Sequence, residues 1–303
     1  MSRGKNRQNG CAASVLVTTY NWPTALSRVL VALANQTDLS FEVVIADDGS
    51  RSDTAEMIAG FAKSAPIEVV HIWQPDDGFN KCRALNKAIA ISKGRTIIVT
   101  DGDCVVRSDF VATHLSLTEP GRFLSGSYYK LPARVSDLIT SDLIESQEVF
   151  SAKWLLRNGV KLDASLLKVL AKGKFSRFLD RTSTARPSWN GHSASCLREH
   201  AIAVNGFNED MGYGGLDVEF GLRLNNYGLT AKKIRYSTLA LHLHHARPYD
   251  TPHMRKASQE VKERTRANSS KWADKGLDQW LRPSGSVELP AEDYVIRYPA
   301  VGR

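Results

Sequence analysis

Four short β-branched runs, each followed by an amphipathic stretch, constrain this chain more than any other feature. SVLVTT (14–19), FEVVIA (41–46), IEVVHIW (67–73) and RTIIVT (95–100) have the near-continuous apolar character of strands buried on both faces. After the first run, Pro23 can occupy a helix's first turn, and Leu26, Val29, Leu30 and Leu33 follow at helical spacing. Residues 53–62 repeat the pattern with Ala55, Ile58 and Phe61, and residues 80–91 with Cys82, Leu85, Ala88 and Ile89. Repeated β-α-β units with right-handed crossovers give a parallel sheet covered by helices, so the fold class is α/β. Ligands of such sheets sit beyond the carboxyl ends of the strands, and the loops there are the ones to read for chemistry.

Those loops are Thr19-Tyr20-Asn21, Asp47-Asp48-Gly49-Ser50, Gln74 to Phe79, and Asp101-Gly102-Asp103. Carboxylates end two strands and follow a third on one edge of one sheet, a concentration that scattered surface decoration does not require. Asp101-Gly102-Asp103 has a direct physical reading. Two carboxylates flanking a glycine can hold a hard divalent cation that bridges phosphate oxygens, and the glycine lets the backbone bend and a ligand approach. The chain has no G-x-G-x-x-G after its first strand, no G-x-x-x-x-G-K-[ST] and no H-E-x-x-H, which argues against dinucleotide, P-loop and zincin chemistry.

Beyond residue 130 the strand signal stops, and 131–187 reads as a helical insert with a basic end at Lys168, Lys172, Lys174, Arg177 and Arg181. A solvated charged face and a membrane-surface or acceptor-binding insert both fit that pattern. Strand and helix signals return from Trp189 to His245. In LALHLHHARP, alternation puts Leu239, Leu241 and Leu243 on one face and His242 with His244 on the other, with His245 at the strand's end. The polar, basic tail (251–303) is expected to be helical over 253–270. A net charge of +8 suggests an anionic partner, yet the basic residues are dispersed and match no nucleic-acid-binding motif. Four well-separated cysteines without a C-x-x-C pair read as reduced thiols. No apolar run approaches the ~20 residues of a membrane span. Val15 to Val17 is too short for a signal h-region, so a cytoplasmic protein is expected.

VLVTTYNWP, VVIADDGS, DDGFNKCRALNKAI and GRTIIVTDGDC occur in an order and spacing that resembles family 2 glycosyltransferases, inverting enzymes that use nucleotide sugars. A second segment, WNGHSASCLREHAIAVNGFNEDMGYGGLDVEFGLRLNNYG (189–228), is similar to the acceptor half of β-1,4-galactosyltransferases and chondroitin-type polymerases. The resemblance implies a GT-A fold, with a nucleotide-sugar half (1–130) fused to a smaller acceptor and catalytic-base half (188–250). It implies that Thr19, Tyr20 and Asp48 hold the uracil and ribose of a UDP-sugar. Asp77, Gly78, Lys81 and Arg83 would line the nucleotide and diphosphate, and Asp101 would face the ribose or sugar. Asp103 and His245 would bind Mn2+ or Mg2+, although alternation alone also permits His244. Asp217 matches the catalytic base, and its alternative is a helix-terminal charge favoured by the dipole. Trp189, Asn190, His192, Tyr213, Gly214 and Gly215 would border the acceptor, with Trp189 fitting a core position equally well. Two positions depart from the pattern: Asn80 stands where an arginine is common, and Leu216 replaces the acid that precedes the base. The implied activity is transfer from a UDP-sugar to a glycan or lipid-linked saccharide in bacterial surface-polysaccharide or lipopolysaccharide assembly, in peripheral contact with an anionic membrane surface. A nucleotidyltransferase that makes the nucleotide sugar, and a non-catalytic glycan-binding protein that keeps the fold, are the competing readings.

Overall fold

A computed structural model describes residues 11–246 and 251–302. The first half alternates as the sequence pattern requires: β1 (Ala13–Thr19), α1 (Pro23–Ala34), β2 (Phe41–Asp47), α2 (Ser52–Ala62), β3 (Glu68–Trp73), α3 (Lys81–Ile91) and β4 (Thr96–Asp101). Short elements follow: β5 (Cys104–Val106), α4 (Phe110–Leu117), β6 (Arg122–Ser125) and β7 (Tyr128–Lys130). The insert is five short helices, α5 (Ala133–Asp137), α6 (Ser141–Glu145), α7 (Ala152–Arg157), α8 (Leu167–Leu170) and α9 (Gly173–Thr182), with 3₁₀ turns at Glu148–Phe150 and Ala164–Leu166. The chain continues through β8 (Ala194–Leu197), α10 (Arg198–Ala203), α11 (Leu216–Tyr227), β9 (Thr230–Lys233) and β10 (Ala240–His242). It ends with α12 (Pro252–Ala267), a 3₁₀ turn at Leu277–Gln279 and β11 (Tyr294–Tyr298).

Eight strands form one sheet in the order β11-β3-β2-β1-β4-β8-β6-β9, and β5-β10-β7 form a smaller one. The strands β1 to β4 run parallel, with Thr19 opposite Asp47, Thr18 opposite Asp101, and Asp47 opposite Trp73. Their carboxyl ends therefore lie on one edge. Strand alternation divides the core: Val15, Val17, Val43 and Ile45 pack with α1 on one face, while Leu16, Val44, Val70 and Val99 pack with α3 and α11 on the other. A core on both faces explains why these strands carry no polar alternation.

Three features of the fold go beyond the sequence pattern. The two halves do not own separate sheets, because β8 pairs antiparallel with β4 and β6 and carries the large sheet across the expected boundary. The insert is more than a charged decoration: Val135, Ile139, Ile144, Val149, Leu155 and Leu166 belong to the α1-side core. The C-terminal region is helical at 252–267, close to expectation, but it also returns to the sheet. β11 runs antiparallel to β3, Tyr294 stacks on Trp73 at 5.1 Å, and Lys87 forms a buried ion pair with Asp293. An uncovered β3 would expose a row of unpaired backbone groups, and β11 supplies the missing partner.

Candidate active site

The chemistry gathers where β4 ends. Gly102 donates its N–H to Thr18 O at 2.8 Å, and a Cβ there would stand only 2.6 Å from the same oxygen. No larger residue fits, so the glycine is what lets the chain turn sharply between two carboxylates. Asp101 faces the interior of the edge, with its Oδ1 accepting from Lys81 Nζ at 2.6 Å and from Thr18 Oγ1 at 3.1 Å. Lys81 opens α3, which brings its ammonium to the sheet end. Burial works against the Lys81 charge, but the carboxylates of Asp101, Asp217 and Asp103 outweigh it and hold the pKa above the usual lysine range.

Asp103 turns the other way, toward the end of β10. Its Oδ2 lies 3.0 Å from His245 Nε2 and 3.7 Å from His242 Nε2, and the two imidazoles stack with centroids 5.4 Å apart. Trp22 packs on His245 at 5.4 Å. Each histidine has its Nδ1 2.7 Å from a backbone carbonyl, Leu243 O for His242 and Ala246 O for His245. A carbonyl can only accept, so Nδ1 carries the proton in both rings, and a neutral ring then offers a lone pair at Nε2. Two such lone pairs facing a carboxylate oxygen demand a positive charge between them, either a ring proton or a cation. One oxygen and two imidazole nitrogens, each ring oriented by a carbonyl, form a donor set that fits a divalent metal. His242 is the residue the sequence pattern did not select. β10 ends at His242, so alternation lapses, Leu243 stays buried, and His244 becomes exposed with its backbone N–H on Ser136 Oγ. The expected His245 joins His242 rather than His244.

Asp217 approaches from the opposite half. Gly214 and Gly215 both have φ of +113°, a turn that L side chains rarely adopt, and Gly215 begins α11 without any side-chain cap. Asp217 therefore does not cap its helix. Its Oδ1 is buried with no hydrogen-bond partner, while the backbone of Gly191 donates to the carboxylate. A methyl on Gly191 would stand 3.1 Å from Asp217 Oδ2 and 3.3 Å from Asp101 Oδ1, so both carboxylates converge on that glycine. Burial pushes the Asp217 pKa up to about 6, against the pull of Lys81 and with a smaller upward push from Asp101. The neighbouring acids are committed elsewhere. Glu219 binds Arg223 through both oxygens at 2.8 and 2.9 Å, and Glu209 accepts from Asn86 and from Trp280 Nε1. Leu216, at the position where the resemblance would put a second acid, is buried in the core.

The residues that the resemblance assigns to the nucleotide occupy the adjoining strand ends. Asp48 accepts from Gln74 Nε2 at 2.7 Å and from the Asn80 N–H at 2.8 Å, so it clamps the 74–80 loop, and burial pushes its pKa up to about 7. Thr19 is buried beside it, and Tyr20 donates to Asp76 at 2.8 Å. Asp77 and Gly78 are exposed in that loop. Arg83, two positions along α3 from Lys81, lies with its Nε 3.8 Å from Glu209 Oε2. Trp189 is a correction. It is 1 % exposed and wedged among Phe123, Phe207 and Phe220, with no face left for a sugar. Asn190 shapes the turn by accepting from Ser193 N–H at 2.8 Å. His192 sits against Tyr128, which also packs on His242. Tyr213 lies between Phe79 and Arg255. Gln74, Thr18 and Trp22 went unselected because no motif marks a residue that acts by holding a loop or a ring.

The Glycosyl transferase family 2 model matches residues 14–130. An uncharacterized glycosyltransferase of Bacillus subtilis, YfnE, is 26 % identical over 260 residues, covering 77 % of this chain and 65 % of its own length. The hyaluronan synthase of Pasteurella multocida is 29 % identical over 233 residues, 73 % of this chain and 23 % of the synthase. The chain thus spans less than two thirds of either relative. Among solved structures, a mannosyltransferase from Pyrobaculum calidifontis in complex with GDP-Man and Mn2+ superposes with a TM-score of 0.55 at 18 % identity, over 84 % of this chain and 64 % of that one. The region matched by the family model contains β1 to β4 and the carboxylates at their ends. Residues 14–130 thus match the family 2 glycosyltransferases, and the backbone has the GT-A fold of its structural neighbours.

Proposed function

We propose that this protein is a metal-dependent, inverting transferase that moves a sugar from a UDP-sugar to a hydroxyl of a glycan or lipid-linked saccharide. The observation that carries the reading is the convergence of Asp217, with its unpartnered buried oxygen, on the Lys81–Asp101 pair. Asp217 accepts the proton of the acceptor hydroxyl as that oxygen attacks the anomeric carbon, and a pKa near 6 leaves it ionised yet basic at neutral pH. A single displacement inverts an α-linked donor to a β-glycoside. Lys81 places a fixed cation where the diphosphate charge grows during bond cleavage. Asp103, His242 and His245 would hold a manganese or magnesium ion, which when bound neutralises the leaving diphosphate. Thr19, Tyr20 and Asp48 border the base and ribose, with Asp77 and Gly78 at the loop beside them. Asn190, His192, Tyr213, Gly214 and Gly215 surround the acceptor.

The mannosyltransferase neighbour holds its nucleotide sugar together with Mn2+, which supports a metal-coupled donor on this fold but makes the base of the nucleotide a point to test. Bacterial surface-polysaccharide or lipopolysaccharide assembly, with the acceptor met at an anionic membrane surface, fits the basic charge. Among the described residues no helix is long and apolar enough to cross a membrane. Calorimetry of UDP and GDP, each with manganese and with a chelator, tests the donor reading. The expected result is UDP binding strengthened by manganese, and by linkage manganese binding strengthened equally by UDP. UDP affinity unchanged by the chelator would refute the metal site, and preference for GDP would replace the donor.

A further inference from the structure

Helix α9 is mounted with its polar side inward. Ser176 and Asp180 are buried; Asp180 accepts from Tyr236 N–H at 2.8 Å and Ser237 Oγ at 2.6 Å, and Ser176 Oγ lies 3.4 Å from Ser237 Oγ. These bonds fix the rotation of the helix about its axis. Phe175 and Phe178 consequently face outward, 51 % and 59 % exposed. At about 100° per residue, Phe178 lies opposite the buried edge, Phe175 about 60° to one side, and Lys174 and Arg181 about 40–60° to the other. Lys174, Arg177 and Arg181 are all exposed. Leu162 and Leu170, exposed in the same insert, add apolar surface.

Aromatic residues held in water beside a row of cations are the features of a helix that lies in a membrane interface, with its rings at the headgroup–acyl boundary and its cations on anionic headgroups. A second copy of the chain is a poor occupant, because like cationic rows would meet. We infer that the outer face of α9 docks on an anionic lipid bilayer. The same insert supplies Asp163, Ser165 and Lys168 to the wall of a 290 Å³ cavity that also contains His192 and Tyr128. Docking through α9 would therefore hold a membrane-borne saccharide near the acceptor side of the site. That last step rests on the transferase reading, whereas lipid binding itself does not.

The test is sedimentation of the full chain with phosphatidylglycerol-containing vesicles and with pure phosphatidylcholine vesicles, alongside the thermal shift given by UDP and manganese. Phe175→Ser/Phe178→Ser should weaken binding to the anionic vesicles about tenfold or more, and so should Lys174→Glu/Arg177→Glu/Arg181→Glu, since each cation near such a surface contributes appreciably. Neither variant should change the UDP–manganese shift, because these side chains are exposed and outside the site. The proposal is overturned by absent wild-type binding, by equal binding to phosphatidylcholine, or by full binding in both variants. Concentration-dependent self-association that the phenylalanine substitutions abolish, without vesicle binding, would assign the face to a second copy and overturn it as well. A UDP shift without vesicle binding defeats only the docking face; vesicle binding without a UDP shift supports docking and counts against the donor reading.

Discussion

Asp217→Asn should lower transfer and raise stability together. The carboxylate carries a buried oxygen with no partner, and its pKa of about 6 stands above the 3.8 of an ordinary aspartate. The folded state therefore binds the proton more tightly than the unfolded state. Stability is highest below pH 3.8 as far as this group is concerned, falls as pH rises toward 6, and the full penalty persists above it. At 1.36 kcal/mol per pKa unit, and allowing for solvent reaching the site, the penalty at pH 7.5 is about 1–3 kcal/mol. Asparagine keeps the shape, cannot ionise and avoids that cost. Thermal unfolding at pH 7.5 should shift upward by roughly 2 °C per kcal/mol in a chain of this size. Transfer to an acceptor should fall by roughly 10²-fold or more, because the amide cannot take the proton. UDP–manganese binding, measured in parallel, should be unchanged. A variant that transfers at near wild-type rate would remove Asp217 from the mechanism. One that is inactive and less stable would mark the carboxylate as a structural group whose charge the fold requires.

His245→Ala and His242→Ala should each weaken manganese binding in calorimetry, while His244→Ala should not; an equal effect in all three would refute the assignment. Asp103→Asn should abolish the coupling between UDP and manganese without unfolding the protein, a result circular dichroism would check. Trp189→Ala should cost about 3–5 kcal/mol in urea unfolding, as expected for a large core side chain; a stable variant defective only in acceptor affinity would return Trp189 to the sugar site. Burial pushes His114 down to about 3 from 6.5, so the unfolded state alone gains this proton between those values and stability falls as pH drops through that window. Relative to its own stability at pH 7, the wild type should lose about 2–3 kcal/mol more than His114→Gln on going to pH 4.5, and parallel losses would show that His114 is not neutral in the fold.

What the sequence determined by itself was the alternating first half of the large sheet. The β-branched runs, the helical spacing after Pro23 and the glycine between Asp101 and Asp103 are local signals, and local signals suffice when each strand is buried on both faces and each crossover is a single helix. The turn before Asp217 was legible for a related reason, since two consecutive glycines before a helix announce a tight approach, whereas Asp217 itself was marked by the resemblance alone. Everything that depends on which way a side chain turns was left to tertiary structure. Lys81 and Arg83 are two residues apart in the chain, yet only packing of α3 decides that Lys81 meets Asp101 and Arg83 meets Glu209. His242 joins His245 because β10 stops after three residues and ends the alternation that paired His242 with His244. β11 finds β3 across more than 200 residues, a pairing set by the open sheet edge rather than by any neighbouring residue. The two phenylalanines of α9 face outward for the same kind of reason: Asp180 and Ser176 are hydrogen-bonded to the segment at Tyr236–Ser237, and bonds to a distant segment fixed the helix's rotation against its own hydrophobic pattern.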